Sequence, residues 1–319
     1  KTTTLRMIAG LETQTSGDIR IGETLVNDLR PGDRDIAFVF QFYALYPHLS
    51  VRDNIGFPLK AQKMPRAEVE KRVNEVARRL RIEHLLKSSP GKLPGGEQQR
   101  VALGRAMVRQ PQVFLMDEPL TNLDASLRAD MRVELKALQS DLGTTMVYVT
   151  HDQVEAMSMS HRIAVMDKGV LQQSDTPLNV YRKPATLFVA TFIGSPPMNI
   201  ITGIIDNGRM FAEGGFSAEI APGARELVEH RQEVVYGVRA ENIAIDEASS
   251  LRGEIVTREP LGDETVYVVR VGGQQITLKT NPREWYHAGA QVGVRIDETR
   301  SHLFDLATGQ RIDSEAAHV

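Results

Sequence analysis

No cysteine occurs in the 319 residues. That removes disulfides, thiolate metal sites and cysteine nucleophiles together, and it suits a reducing compartment. Also missing is any apolar run near the roughly 18–20 residues of a membrane-spanning helix. Charge of one sign is not in excess either: 38 Lys and Arg stand against 41 Asp and Glu, a net charge of −3. Nothing global therefore draws the chain to nucleic acid. Internal repeats and low-complexity tracts are absent as well. What is present, 41% hydrophobic and 25% charged residues, is the balance of an ordinary globular protein, and the length suits two domains.

The first part of the chain alternates strand-like and helix-like patterns. DIAFVFQ (35–41) and TTMVYVT (144–150) predict buried strands, and QVFLMDEP (112–119) predicts a strand that ends in carboxylates. Residues 67–86 carry Val69, Val73, Val76, Leu80, Ile82 and Leu85 on one face, which predicts a single amphipathic helix. A second helix is predicted over 124–142, with Asp124 as N-cap and Gly143 as its stop. DQVEAMSMS predicts a short helix, and RIAVMDKGVLQQ predicts a hairpin turning at Lys168-Gly169. Strands alternating with helices imply a mainly parallel sheet. After GSPPMN (194–199) the pattern changes to short strands and turns, including a hairpin at Gly272-Gly273. The expected division is an α/β domain over 1–194 and an all-β domain over 195–319.

Four stretches carry chemistry. KLPGGEQQR (92–100) puts two glycines at a helix N-terminus, either to start the helix or to face an anion. LMDEP sets Asp117 and Glu118 at a strand's carboxyl end, where ligands of open α/β sheets gather. An Asp there suits Mg²⁺, and the adjacent Glu can deprotonate an attacking water. The strand 144–150 delivers His151 to the same edge. KTTTLRMIAG looks like the end of a phosphate-binding loop, G-x-x-x-x-G-K-[ST], with Lys1 on the β/γ-phosphates and the Thr2 hydroxyl on Mg²⁺.

Taken in order, Lys1-Thr2, Gln41, GGEQQR, LMDEP, LTNLD and His151 resemble the motif series of ATP-binding-cassette (ABC) ATPases. ALYPHLSVRDNIGFPLK, DQVEAM and FIGSPPMN resemble the carbohydrate-importer subfamily of maltose/maltodextrin type. The resemblance implies an α/β P-loop NTPase domain, with a parallel sheet core and a helical subdomain, followed by an all-β OB-like regulatory domain. It implies MgATP as the ligand, with Glu118, His151 and Gln41 catalytic and Thr2, Gln41 and Asp117 around the metal. ATP would meet Lys1, Thr2, Thr3, Gln41, Gly95, Gly96, Glu97, Asp124 and His151. It also implies two strands, an adenine-stacking aromatic and the phosphate-loop glycines before Lys1.

The implied partners are a second copy in a head-to-tail pair, membrane permease subunits docking near Gln41–Pro47 and, indirectly, an extracytoplasmic solute-binding protein, with no nucleic acid. The implied location is peripheral, on the cytoplasmic face of the plasma membrane. The family signature is usually Leu-Ser-Gly-Gly-Gln, and here Pro94 replaces Ser and Glu97 replaces Gln. Losing a hydrogen bond to a charged group weakens a site by about 1.5–3 kcal/mol, which corresponds to roughly 10- to 100-fold. A working but slowed ATPase is expected. The rivals are a non-catalytic regulatory subunit, a soluble cassette ATPase of repair or translation, and an importer of polyamine, iron or glycerol phosphate.

Tyr43, Tyr46 and Phe42 suit either a partner surface or plain packing, and RRLR (78–81) suits a solvated helix face. His48, His84 and His161 have no metal-ligand spacing.

Overall fold

A computed structural model describes residues 1–312. The chain forms two compact units, Lys1–Glu155 and the part from Ala156 onward.

In the first unit, helix α1 (Thr2–Ala9) is followed by a small hairpin of β1 (Arg20–Ile21) and β2 (Thr24–Leu25). Then come β3 (Ile36–Val39), helices α2 (Val51–Ala61), α3 (Arg66–Arg79) and α4 (Gly95–Met107), β4 (Val113–Asp117), α5 (Ala125–Leu142) and β5 (Thr145–Val149). Strands β3, β4 and β5 form a parallel sheet in that order, with β4 in the middle. Covered on both faces, a parallel strand has to be apolar along its length, and Phe114, Leu115 and Met116 are fully buried. Leu5 and Ala9 of α1 join Ile36, Leu115 and Val149 in one apolar cluster, so the start of α1 lies beside the carboxyl edge of β4. Arg34, almost fully buried, fixes the far end of α1. Its guanidinium donates to the carbonyls of Met7 and Ile8 at 2.8 and 2.7 Å, and to those of Leu29 and Asn27.

Helix α5 has the predicted ends. Asp124 accepts the Leu127 N–H at 3.0 Å, and Gly143 takes a left-handed conformation, φ 59°. The helix expected over 67–86 is shorter. It stops at Arg79, Arg81 turns to φ 56°, and Glu83–Leu85 make a single 3₁₀ turn. The apolar stripe persists through the turn because Ile82, Leu85 and Leu86 remain buried, and burial alone does not distinguish a helix from a turn that keeps covering the same core.

Helix α6 (Gln153–Met159) crosses the boundary between the units. In the second unit, β6 (Ile163–Asp167) and β7 (Val170–Asp175) form the hairpin expected at Lys168-Gly169. Helices α7 (Pro177–Arg182) and α8 (Leu187–Phe192) share its core through Val180 and Val189. The peptide between Ser195 and Pro196 is cis.

All-β structure follows: β8 (Asn199–Asp206), β9 (Arg209–Phe211), β10 (Ser217–Glu219), β11 (Glu233–Val238), β12 (Ile243–Ile245), β13 (Arg252–Pro260), β14 (Thr265–Val271), β15 (Gln274–Thr280), β16 (Gln291–Ile296) and β17 (His302–Asp305). They make two five-stranded antiparallel sheets, β10-β9-β8-β11-β17 and β12-β16-β13-β14-β15, around a core that includes Tyr236, Tyr267 and Phe216. Asn199 stitches the sheets together. It donates to the carbonyls of Val238 and Thr277 at 3.2 and 2.7 Å and accepts the Thr277 N–H. The turn at Ala240–Asn242 divides EVVYGVRAENIAI between the sheets. Just before it, Arg239 stacks 3.8 Å over the Tyr181 ring and donates to the carbonyls of Tyr181 and Ile193.

Candidate active site

Where β4 ends, its side chains meet the first turn of α1 and the loop after β5. The Thr2 hydroxyl donates to Asp117 Oδ1 at 3.0 Å. The Lys1 ammonium donates to the Thr150 carbonyl at 2.7 Å and lies 3.2 Å from His151 Nδ1. On the other side of the imidazole ring, His151 Nε2 is 3.0 Å from Glu118 Oε1. An ammonium has only protons to offer, so Nδ1 is the acceptor and the ring proton sits on Nε2, directed at Glu118. The second Glu118 oxygen accepts from the Thr121 hydroxyl at 3.3 Å.

Backbone geometry supports this placement. Glu118 adopts φ 49°, and its N–H donates to the Val149 carbonyl at 3.0 Å, so the turn past β4 is pinned to the end of β5. The Glu118 side chain is 16% exposed and that of His151 71%, so the carboxylate is sheltered behind the ring. Burial lowers the Lys1 pKa from its usual value, against the opposing pull of Glu118 and Asp117. A partly desolvated cation gains by meeting an added anion.

Behind His151 lies a polar layer. Glu155, 3% exposed, accepts from the hydroxyls of Thr150 at 2.7 Å and Tyr148 at 3.0 Å. Burial, then the Glu155 charge and hydrogen bond, push the Tyr148 hydroxyl pKa well up, so it stays a donor.

The glycine stretch meets part of its expectation. Gly95 and Gly96 are the first residues of α4 and Pro94 is its N-cap, with no side-chain cap. The carbonyl of Pro94 takes the N–H groups of Glu97 and Gln98, and those of Gly95 and Gly96 lie at the helix's positive end. Gly96 also has a packing role, since a Cβ there would come within 2.8 Å of Leu127 Cδ2. Among the described residues, no hydrogen bond or ion pair joins Gly95, Gly96 or Glu97 to the Lys1–His151 cluster.

Of the other expected residues, Gln41 is tied through its backbone carbonyl to Asn122 Nδ2 at 3.0 Å. Asp124 caps α5 with its carboxylate, and Thr3 is exposed in the first turn of α1. The loop after Gln41 exposes Phe42 (78%) and turns Tyr43 and Ala44 to positive φ. Arg105 of α4 donates to both their carbonyls at 2.7 Å, and buried Asn54 holds Tyr46 through its backbone.

Sequence reasoning did not anticipate Thr121, Arg105, Arg128 or Glu155. The signal for Glu155 was the D-x-x-E spacing from Asp152, whose carboxylate accepts the N–H groups of Val154 and Glu155.

The hydroxyl of Thr2 beside the Asp117 carboxylate is an oxygen donor set suited to a hard divalent cation shared with phosphate oxygens. No group of three or more His, Asp or Glu side chains forms a metal cage among the described residues. No helix among them is long and apolar enough to cross a membrane.

Comparison with known proteins shows the family. The ABC transporter family profile matches residues 1–121, the MalK OB fold domain profile 194–243 and the TOBE domain profile 236–304. The trehalose/maltose import ATP-binding protein MalK of Thermococcus litoralis is 50% identical over 98% of this chain and 89% of its own length. The xylose/arabinose import ATP-binding protein XacK of Haloferax volcanii is 47% identical over 98% and 84%. The sn-glycerol-3-phosphate import ATP-binding protein UgpC of Escherichia coli K12 is 46% identical over 98% and 88%. Among solved structures, CbiO1 of Clostridium perfringens, described as part of the ABC transporter complex CbiONQ, matches with a TM-score of 0.52 at 28% identity, over 56% of this chain and 73% of that one.

Proposed function

The chain belongs to the ATP-binding subunits of ABC importers, and on that premise we propose that Lys1, Thr2, Asp117, Glu118 and His151 form its hydrolytic site and that the solute moved is a carbohydrate or a polyol phosphate. As a member of that family it is an ATPase energising an importer. The observation that carries the site assignment is the pair of contacts that gather four groups from distant parts of the chain at one strand end, Thr2 to Asp117 and His151 to Glu118.

The chemistry follows from the positions. Glu118 accepts a proton from water as its oxygen attacks the γ-phosphorus, and the bond to the β-γ bridging oxygen breaks, releasing phosphate and ADP. The Lys1 ammonium balances the charge that develops on the γ-phosphoryl oxygens, and the Nε2 proton of His151 adds to it once the ring turns that proton from Glu118 to the nucleotide. Thr2, Asp117 and Gln41 are the residues that would hold Mg²⁺. That ion, when bound, supplies charge neutralisation on the phosphates. Exposure of His151 leaves its ring accessible to a nucleotide, while sheltered Glu118 keeps its carboxylate directed at the ring.

The Gly95–Gly96 turn of α4 carries free N–H groups suited to the γ-phosphate of a nucleotide held by a second copy. Pro94 provides no hydroxyl there, which supports a slowed rather than an absent reaction. Exposed Phe42 in the loop clamped by Arg105 supports docking of permease subunits along Gln41–Pro47, which would place the protein on the cytoplasmic face of the membrane. The solutes in the relatives' names, disaccharides, pentoses and sn-glycerol-3-phosphate, define the class proposed here.

The test is ATP-driven uptake in vesicles carrying the complete transporter, with radiolabelled maltose, trehalose, xylose, arabinose and glycerol 3-phosphate. Uptake of one of these, lost with Glu118→Gln, is expected. Vigorous ATP hydrolysis with uptake of none of them would refute the solute class, and full hydrolysis by Glu118→Gln would refute the site.

A further inference from the structure

Arg128 plays no part in the chemistry above, yet its guanidinium joins two loops of the site. From the first turns of α5, Nη2 donates to the carbonyls of Leu123 at 3.0 Å and Thr121 at 3.5 Å. These carbonyls belong to the loop that runs from Glu118 to Asp124. On its other side, Nη1 faces Asp152 Oδ2 at 3.7 Å.

Asp152 follows His151 directly and is itself tightly held. Its N–H donates to the Thr150 hydroxyl at 2.9 Å, and its Oδ1 caps α6 through Val154 and Glu155 at 2.7 and 3.1 Å. The Thr150 hydroxyl donates to buried Glu155, and the Thr150 carbonyl accepts from Lys1. A continuous polar path therefore runs from the 121–123 carbonyls through Arg128 to the two residues that flank the His151 ring, Asp152 and Thr150. The Arg128 and Asp152 side chains are 32% and 29% exposed, so solvent screens this pair less than an open surface pair.

Helix stability does not account for the residue. A cation near the start of α5 opposes the helix dipole, and Asp124 already caps that end. What Arg128 contributes is the bridge.

We infer that Arg128 is a positioning residue that ties the 121–124 loop to His151, so that a displacement of the loop shifts the imidazole relative to Glu118. This rests on the assignment of His151 and Glu118 to the hydrolytic site. Arg128 acts through Asp152 and the loop carbonyls.

The test uses the complete transporter with its membrane subunits and compares Arg128→Met, Asp152→Asn, their combination, Arg128→Lys and His151→Ala. Asn keeps the α6 cap while removing the charge. Lys keeps a charge toward Asp152 but cannot fork across two carbonyls. Each of Arg128→Met and Asp152→Asn is expected to lower kcat about 10- to 100-fold, the range of a small misplacement, with KM for ATP held within about twofold. The combination should be no worse than the more severe single variant, and Lys should recover only part of the loss.

Wild-type kcat in Arg128→Met, a double variant whose loss is the product of the singles, or a parallel rise in KM would each overturn the inference. If Arg128→Met does not fold, Arg128→Lys decides by the same split: reduced kcat at constant KM supports the bridge, and full activity removes it. His151→Ala with full kcat would bring down the site assignment itself. An inactive His151→Ala beside a fully active Arg128→Met removes only the role of Arg128.

Discussion

His151 stands between Lys1 and Glu118, with Nδ1 3.2 Å from the ammonium and Nε2 3.0 Å from the carboxylate. One ring thus connects the cation proposed to meet phosphate with the carboxylate proposed to take the proton from water. The two carboxylates of LMDEP part at this point: Asp117 faces the Thr2 hydroxyl and Glu118 faces the ring. Their different partners are the structural basis for giving them different roles.

Pro94→Ser should strengthen both the helix and the site. Pro94 already has the backbone of a capping residue, φ −56° and ψ 155°, close to Ser50 at −65° and 165° before α2. A serine fits without rearrangement and caps α4, adding about 0.5–2 kcal/mol to stability. With the hydroxyl also available to phosphate, the ATPase rate of the complete transporter should rise about tenfold or more. An unchanged rate would show that Pro94 does not limit hydrolysis.

Gly96→Ala should destabilise the first unit through overpacking. The new Cβ would sit 2.8 Å from Leu127 Cδ2, so Leu127 has to move. The expected loss is about 1–2 kcal/mol, at the low end for overpacked sites because the clashing atom ends a flexible side chain. Urea denaturation measures it, and the loss should vanish when Leu127 is also replaced by Ala. A cost that persists in that background would place the role of Gly96 elsewhere.

Acid should weaken the second unit through His302. Burial first, then the charges of Arg311 and Arg239, lower its pKa to about 4 from the usual 6.5. Because the unfolded chain binds the proton more readily, this contribution is complete above about pH 6.5 and is lost as pH falls toward 4. At about 1.4 kcal/mol per pH unit the loss reaches at most about 3 kcal/mol. Denaturation between pH 7 and 4 should show it, with a flatter profile for His302→Gln. Identical profiles would contradict the assignment.

Much of this architecture is legible in the sequence because it is local. The Asp124 cap, the Gly143 stop, the Lys168-Gly169 and Gly272-Gly273 turns and the carboxylates ending β4 each announce themselves within a few residues. The order of Lys1, Gln41, Glu118 and His151 likewise points to one edge of the sheet. Hidden from that reading are features set by tertiary neighbours. Glu155 and Arg128 look like ordinary helix-surface charges until the end of β5 and the 121–123 loop fold onto them. Arg81 ends α3 early, although the apolar stripe continues, because the core accepts the buried side chains of a turn as readily as those of a helix. Gly96 reads as a signature glycine that starts a helix or faces an anion, and only the approach of Leu127 reveals its packing role.

The central claim is that Glu118 is the base of an ATP-hydrolysing site. Steady-state hydrolysis by the complete transporter, with nucleotide binding measured in parallel, tests it through Glu118→Gln. The substitution keeps the shape and removes the basic oxygen, so kcat should fall about 10²–10⁴-fold while ATP still binds. Hydrolysis within twofold of the unaltered protein, at equal ATP occupancy, would contradict the account.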